Sequence, residues 1–266
     1  MKEFIKITSI AILGYTLVLI GKITPHVLAP FKQYAWVEEN YSFIHYTTGN
    51  LIQITLCFLF TYLVLRFIIK SKVSVFSALG LSRNIGKGML LGLAFTLPMF
   101  IGYVWQVGLQ NDIKITTLIT HAAYPGFSEE LVYRAFFIGL LFRYTRLGFF
   151  PIVLIVSLIF GAGHLYQGES IMHSAMVMIV TSLGSMFFAW IYFEYKWNLW
   201  LPITMHTLMN LCWNVFALNT NDAAGNTVAN TFRVFTILLA VFVTLYRLYK
   251  KGSALKGKLI WKSHTS

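Results

Sequence analysis

Charge is what this chain has least of. Its 266 residues include 21 Lys and Arg and nine Asp and Glu, 11% of the total, against about 25% in an average soluble domain. So few charges cannot clothe a soluble globule of this size. Disorder is excluded too, because it needs low hydrophobicity and high charge. Cysteine is nearly missing. Cys57 and Cys212 both lie in apolar stretches, which excludes a disulfide framework. No internal repeat is visible and no linker divides the chain. What is abundant is apolar: 57% of residues, with a mean hydropathy of +0.68.

A membrane-crossing helix needs about 20 mostly apolar residues. Eight stretches qualify: 7–29, 48–69, 88–109, 116–143, 149–166, 171–194, 199–218 and 230–249. The first lacks a convincing small-x-small cleavage site and is read as an uncleaved anchor rather than a signal peptide. The expected fold is therefore all-α, a polytopic membrane helical bundle of about eight transmembrane helices, forming one integral-membrane domain over 1–266.

The net charge of +12 does not point to nucleic acid, because the basic residues sit between the apolar stretches. With the N-terminus inside, 16 of the 21 fall on the inner side, from Lys2 and Lys6 to the tail after Arg247. The positive-inside rule then predicts both termini in the cytoplasm. Anionic lipid head groups are a sufficient partner for the charge, and the basic tail is expected to be solvated and lipid-facing.

Three charges are misplaced for such a protein. Glu129, Glu130 and Arg134 lie inside the span 116–143. An acid or arginine at mid-helix costs roughly 2.5–3.5 kcal/mol on insertion scales, so internal partners are expected. Glu130 and Arg134 are i,i+4 with the acid first, the favourable order for an ion pair. Glu129 points about 100° away from Glu130 and has no local basic partner. His164 closes the run Phe160-Gly-Ala-Gly-His164, and His206 and Asn210 share one face of 199–218. Counted from the inner edge, Glu130 is about 20 Å deep, His164 about 22 Å, His206 about 10 Å and Asn210 about 16 Å, so one mid-membrane layer can hold all four. Pro125 is expected to kink the span and free a carbonyl, which at this depth needs a polar cavity.

Such a set suits hydrolysis. A carboxylate in a low-dielectric cavity serves as a general base. Glu129 with His164 would polarise a water, while His206 and Asn210 would donate to the oxyanion. Zinc is possible instead, held by Glu129, His164 and His206, though Asn is a poor ligand and no His-Glu-x-x-His is present.

The motifs Glu129-Glu130-x-x-x-Arg134, Phe160-x-x-x-His164 and His206-x-x-x-Asn210 resemble, in order, those of the CPBP family of intramembrane proteases. That family includes type II CAAX prenyl endopeptidases and bacterial bacteriocin-processing and immunity proteins. The resemblance implies an endopeptidase cleaving near the C-terminus of a membrane-bound or lipidated peptide. It implies Glu129 and His164 activating water, His206 and Asn210 holding the oxyanion, and Glu130 and Arg134 in support. The family is commonly labelled a metalloprotease, while its structures suggest a metal-free glutamate mechanism.

Ser128 followed by His164 could suggest a rhomboid-type dyad, but two acids rather than glycine follow the serine, so Ser128 is read as bonding to backbone. Intramembrane Glu, His and Arg also serve proton-coupled transporters, although no inverted repeat is present. A non-catalytic immunity or scaffold protein on the same fold is the remaining alternative. His121, His173 and the sequon at Asn40 are read as incidental.

Overall fold

The computed structural model describes residues 2–262 except Asn221, Ala254, Gly257 and Trp261. All eight expected stretches are helical. Helix α1 (Lys2–Leu28) runs into a 3-10 turn, Ala29–Gln33. Helix α2 (Ala35–Leu63) ends in a π turn, Val64–Ile69. A short α3 (Val75–Ala78) precedes α4 (Ile85–Gln106), whose first turn is capped by Asn84 accepting from Lys87 N at 2.8 Å. The stretch from Ile115 to Tyr144 is one unbroken helical path: α5 (Ile115–Leu118), a π turn Ile119–Ala123, α6 (Tyr124–Glu129), a π stretch Glu130–Ile138, and α7 (Gly139–Tyr144). Then follow α8 (Phe149–Ala162), α9 (Ile171–Glu194), α10 (Trp200–Val215) and α11 (Thr227–Lys251). Among the described residues the only β pairing is an isolated bridge between Leu109 and Phe216.

Six of these helices are long and apolar enough to cross a membrane by length and composition alone. The other two are the ones that carry the misplaced polar groups. The path from Ile115 holds Glu129, Glu130 and Arg134. Helix α10 has 16 residues, about 24 Å at 1.5 Å per residue, short of a hydrocarbon core about 30 Å thick.

Two expectations need correction. Helix α2 begins at Ala35 rather than near 48. Residues 35–47 include Glu38, Glu39, Asn40 and His45, which remove them from a hydropathy count, but no Pro or Gly breaks the helix there. The second is the tail, which is not simply solvated. Gly148 N, Phe149 N and Phe150 N, at the start of α8, donate to the carbonyls of Ile260 (2.8 Å), Lys258 (3.0 Å) and Leu259 (2.8 Å). The first N–H groups of a helix need outside acceptors, and Gly148, at the N-cap of α8, has no side chain to offer.

The same contacts define one end of the bundle. Arg146 N donates to the Glu3 carboxylate, Lys262 N to Arg146 O at 2.9 Å, and Asn198 Nδ2 to Asn84 O at 2.9 Å. Gln110 N to Val215 O and Ala223 N to Gln167 Oε1, both 2.9 Å, tie the opposite end. The basic segments therefore gather at one end, with both described termini. Small residues bring helices close, as in membrane bundles generally. A Cβ on Gly161 would collide with Ser182, and Ser157 Oγ donates to Ser185 Oγ at 2.9 Å, both between α8 and α9. Gly88 and Gly92 on α4 likewise leave room for Trp200 and Thr204 on α10.

Candidate active site

Pro125 enters the first turn of α6 directly after a π turn. The wider turn accommodates the residue that lacks an N–H, so the helix continues through it. Such π turns are frequent at functional sites. From Glu130 to Ile138 every residue is buried, which places Glu130 and Arg134 at the centre of the bundle.

Arg134 Nη1 lies 3.2 Å from Glu130 Oε1, with both side chains sealed from solvent. The guanidinium is held between two rings, Phe160 of α8 at 4.7 Å and Phe188 of α9 at 5.6 Å, close enough for cation–π attraction. The approach to Glu130 is not aligned as a hydrogen bond. Arg134 Nε and Nη1 and Glu130 Oε2 have no hydrogen-bond partner. Buried polar atoms of this kind mark places where internal water belongs.

His206 joins α10 to this pair. Its Nδ1 is 2.7 Å from Glu130 Oε1, so Nδ1–H donates to the carboxylate and Nε2 is left facing the second acid. Glu129 Oε2 stands 3.9 Å from that Nε2, a gap that fits one bridging water better than a direct bond. The Phe188 ring stacks on the imidazole at 5.4 Å and 16°. The two acids differ in access: the Glu129 side chain is 28% exposed and that of Glu130 0%. One carboxylate is partly open while its neighbour is locked into ion pairs.

His164 follows the last turn of α8. Its Nδ1–H donates to Phe160 O at 2.8 Å, and its ring packs 4.6 Å from Phe160. That bond fixes Nε2 as the free acceptor nitrogen. Among the described residues the ion-pair partner of Glu129 is His206, and no pair with His164 is formed. Asn210 lies one turn beyond His206 on the same face. Its carbonyl accepts from Asn214 at 2.8 Å, and its side chain has no hydrogen bond among the described residues.

Among the described residues, no group of three His, Cys, Asp or Glu side chains is gathered closely enough to hold an ion. Nε2 is free on both His206 and His164, so it is the separation of the side chains, not an occupied nitrogen, that keeps them from sharing an ion. As arranged, Glu129, His164 and His206 do not form a zinc-binding set.

The remaining polar residues have other occupations. Ser128 Oγ donates to Tyr124 O at 2.9 Å and to Asn50 of α2, a backbone-bonding serine held away from nucleophilic work. His121 bonds Thr120 Oγ1 at 2.8 Å. His173 lies 3.2 Å from Asp222 in the α10–α11 loop. Burial acts to raise the Asp222 carboxyl, but the N–H groups of Ala224 and Gly225, with His173 and Thr220, outweigh it and hold the group below the usual range. Phe188, which touches both His206 and Arg134, gave no signal in the sequence, because one phenylalanine among 23 is indistinguishable from a lipid-facing one.

The fold and the buried cluster define a helical integral membrane protein with a polar site in its interior. Residues 111–212, a segment that contains all three motifs, match the family described as type II CAAX prenyl endopeptidase Rce1-like. The match supports an intramembrane CAAX-type endopeptidase as the general class of activity. No curated protein and no solved structure matches the chain.

Proposed function

We propose that the protein hydrolyses a peptide bond in a membrane-associated or lipidated peptide without a metal ion, using Glu129 as the general base. The observation that carries this reading is the contrast between the two adjacent acids. Glu130 is sealed against Arg134 and His206, while Glu129 is partly exposed and 3.9 Å from the free nitrogen of His206. A water held between Glu129 Oε2 and His206 Nε2 gives its proton to Glu129 as its oxygen attacks the scissile carbonyl carbon. His164, with an acceptor Nε2, takes the second proton of that water as the carboxyl product forms. The oxyanion is met by the free amide of Asn210. The C–N bond then breaks, the proton on Glu129 passes to the leaving nitrogen, the proton on His164 passes to solvent, and a carboxylate and an amine depart.

Asn210→Ala is expected to lower kcat by about 10²–10³-fold, the usual cost of losing one oxyanion donor. Ser128→Ala should leave kcat within a few-fold of wild type. The reverse order in a purified peptide-cleavage assay would favour a serine mechanism. Cleavage should also survive a zinc chelator; loss restored by added zinc would contradict the metal-free reading.

We further infer that both termini face the cytoplasm, supported by the 16 of 21 basic residues on that side. Reporter fusions after Lys262 and after Asn226 should give opposite signals. Identical signals would contradict the eight-crossing topology.

A further inference from the structure

A glycine inside a helix is less stable than alanine, and in a membrane bundle it normally lets a second helix come close. Gly88, Gly92, Gly126 and Gly161 all do this. Gly184 in α9 does not. Among the described residues it is the one glycine within a helix whose Cβ would meet no atom within 4 Å.

Its position gives that open space a use. Gly184 is one helical turn from Phe188, the ring stacked on His206. Beyond Phe188, Ile191 packs in one cluster with Leu201 and Met205 of α10. At the other end of α9, His173 meets Asp222 just past α10. The two helices are therefore joined at both ends of a stretch that Gly184 leaves open. The neighbouring Leu183 points elsewhere and is 59% exposed, on the outer surface of the bundle. Asn210 stands one turn beyond His206 as Gly184 stands one turn before Phe188, and the antiparallel run of α9 and α10 sets the two at the same level.

We propose that this gap is the substrate's side-chain subsite, taking an apolar residue beside the scissile bond of an extended membrane peptide, and that Gly184 sets the size it accepts. The inference rests on the endopeptidase reading given above. Phe188 forms an apolar wall between the subsite and Arg134. A peptide lying along Asn210 would place its carbonyl beside the amide and an adjoining side chain toward Gly184. A Cβ at 184 meets no protein atom within 4 Å, so a bulkier residue there grows into the gap.

Two experiments test this independently. In proteoliposomes, Gly184→Cys should react with a charged, water-soluble methanethiosulfonate at least about tenfold faster than Leu183→Cys, because the gap is wet and position 183 faces lipid. In a Glu129→Gln background, an apolar membrane peptide with a central Leu should slow that labelling more than the same peptide with a central Ala. Equal labelling at 183 and 184, or no protection by either peptide, would overturn the subsite whether or not the protein cleaves peptides. In the purified enzyme, Gly184→Leu should melt normally. It should shift the kcat/KM preference from the Leu peptide toward the Ala peptide by about tenfold or more, the scale on which apolar pockets discriminate. A uniform loss on both peptides, or an unchanged preference, would also overturn it. Wild-type-like cleavage by Glu129→Gln would strike the catalytic reading instead and leave the labelling result standing.

Discussion

Arg134→Leu is expected to destabilise the folded protein by about 3–5 kcal/mol, the cost of leaving one member of a buried ion pair alone. The Glu130 carboxylate would keep its bond to His206 Nδ1 but lose its only full positive charge, in a place where no solvent reaches it. The rings of Phe160 and Phe188 would also lose the guanidinium between them. Because Phe188 stacks on His206, the damage spreads to the site as well as to the bundle. Glu130→Leu strands the guanidinium by the same reasoning. The double change to two apolar residues should recover part of the stability, because it removes both charges together. Thermal unfolding in detergent checks this, and wild-type melting of Arg134→Leu would contradict a structural role for the pair.

The helices were legible because lipid imposes a simple demand. Each crossing must be long and apolar, and the basic residues must cluster between crossings. The errors arose where that demand stops. Residues 35–47 are too polar to count as a span yet remain helical, and Lys258, Leu259 and Ile260 of the tail dock on the start of α8 through backbone groups that no residue type announces. At the site, the i,i+4 relation of Glu130 and Arg134 could be read from one helix. The bond from Glu130 to His206 could not, because it joins residues 76 positions apart on separate helices. The expected pairing of His206 with Asn210 on one face stands beside a different fact: the ring's Nδ1 is held by Glu130. Gly184 was invisible for another reason. Sequence shows that a side chain is missing, and only packing shows that nothing fills its place.

Glu129→Gln should fold and melt as wild type while peptide cleavage falls by about 10²–10⁴-fold, the usual contribution of a positioned general base. The amide keeps the shape of the side chain and its hydrogen bonding but cannot take the water's proton. Glu129 is the partly open member of the acid pair and lies 3.9 Å from its partner, so little folding energy depends on its charge. That separates it from Glu130, whose loss should reduce stability and activity together. The most direct measurement is the single-turnover cleavage rate of a membrane peptide by purified wild-type and Glu129→Gln protein in chelator-treated proteoliposomes, with the melting temperature taken on the same samples. The account predicts equal melting and a rate at least about a hundredfold lower for the variant; equal rates would show that Glu129 is not the base.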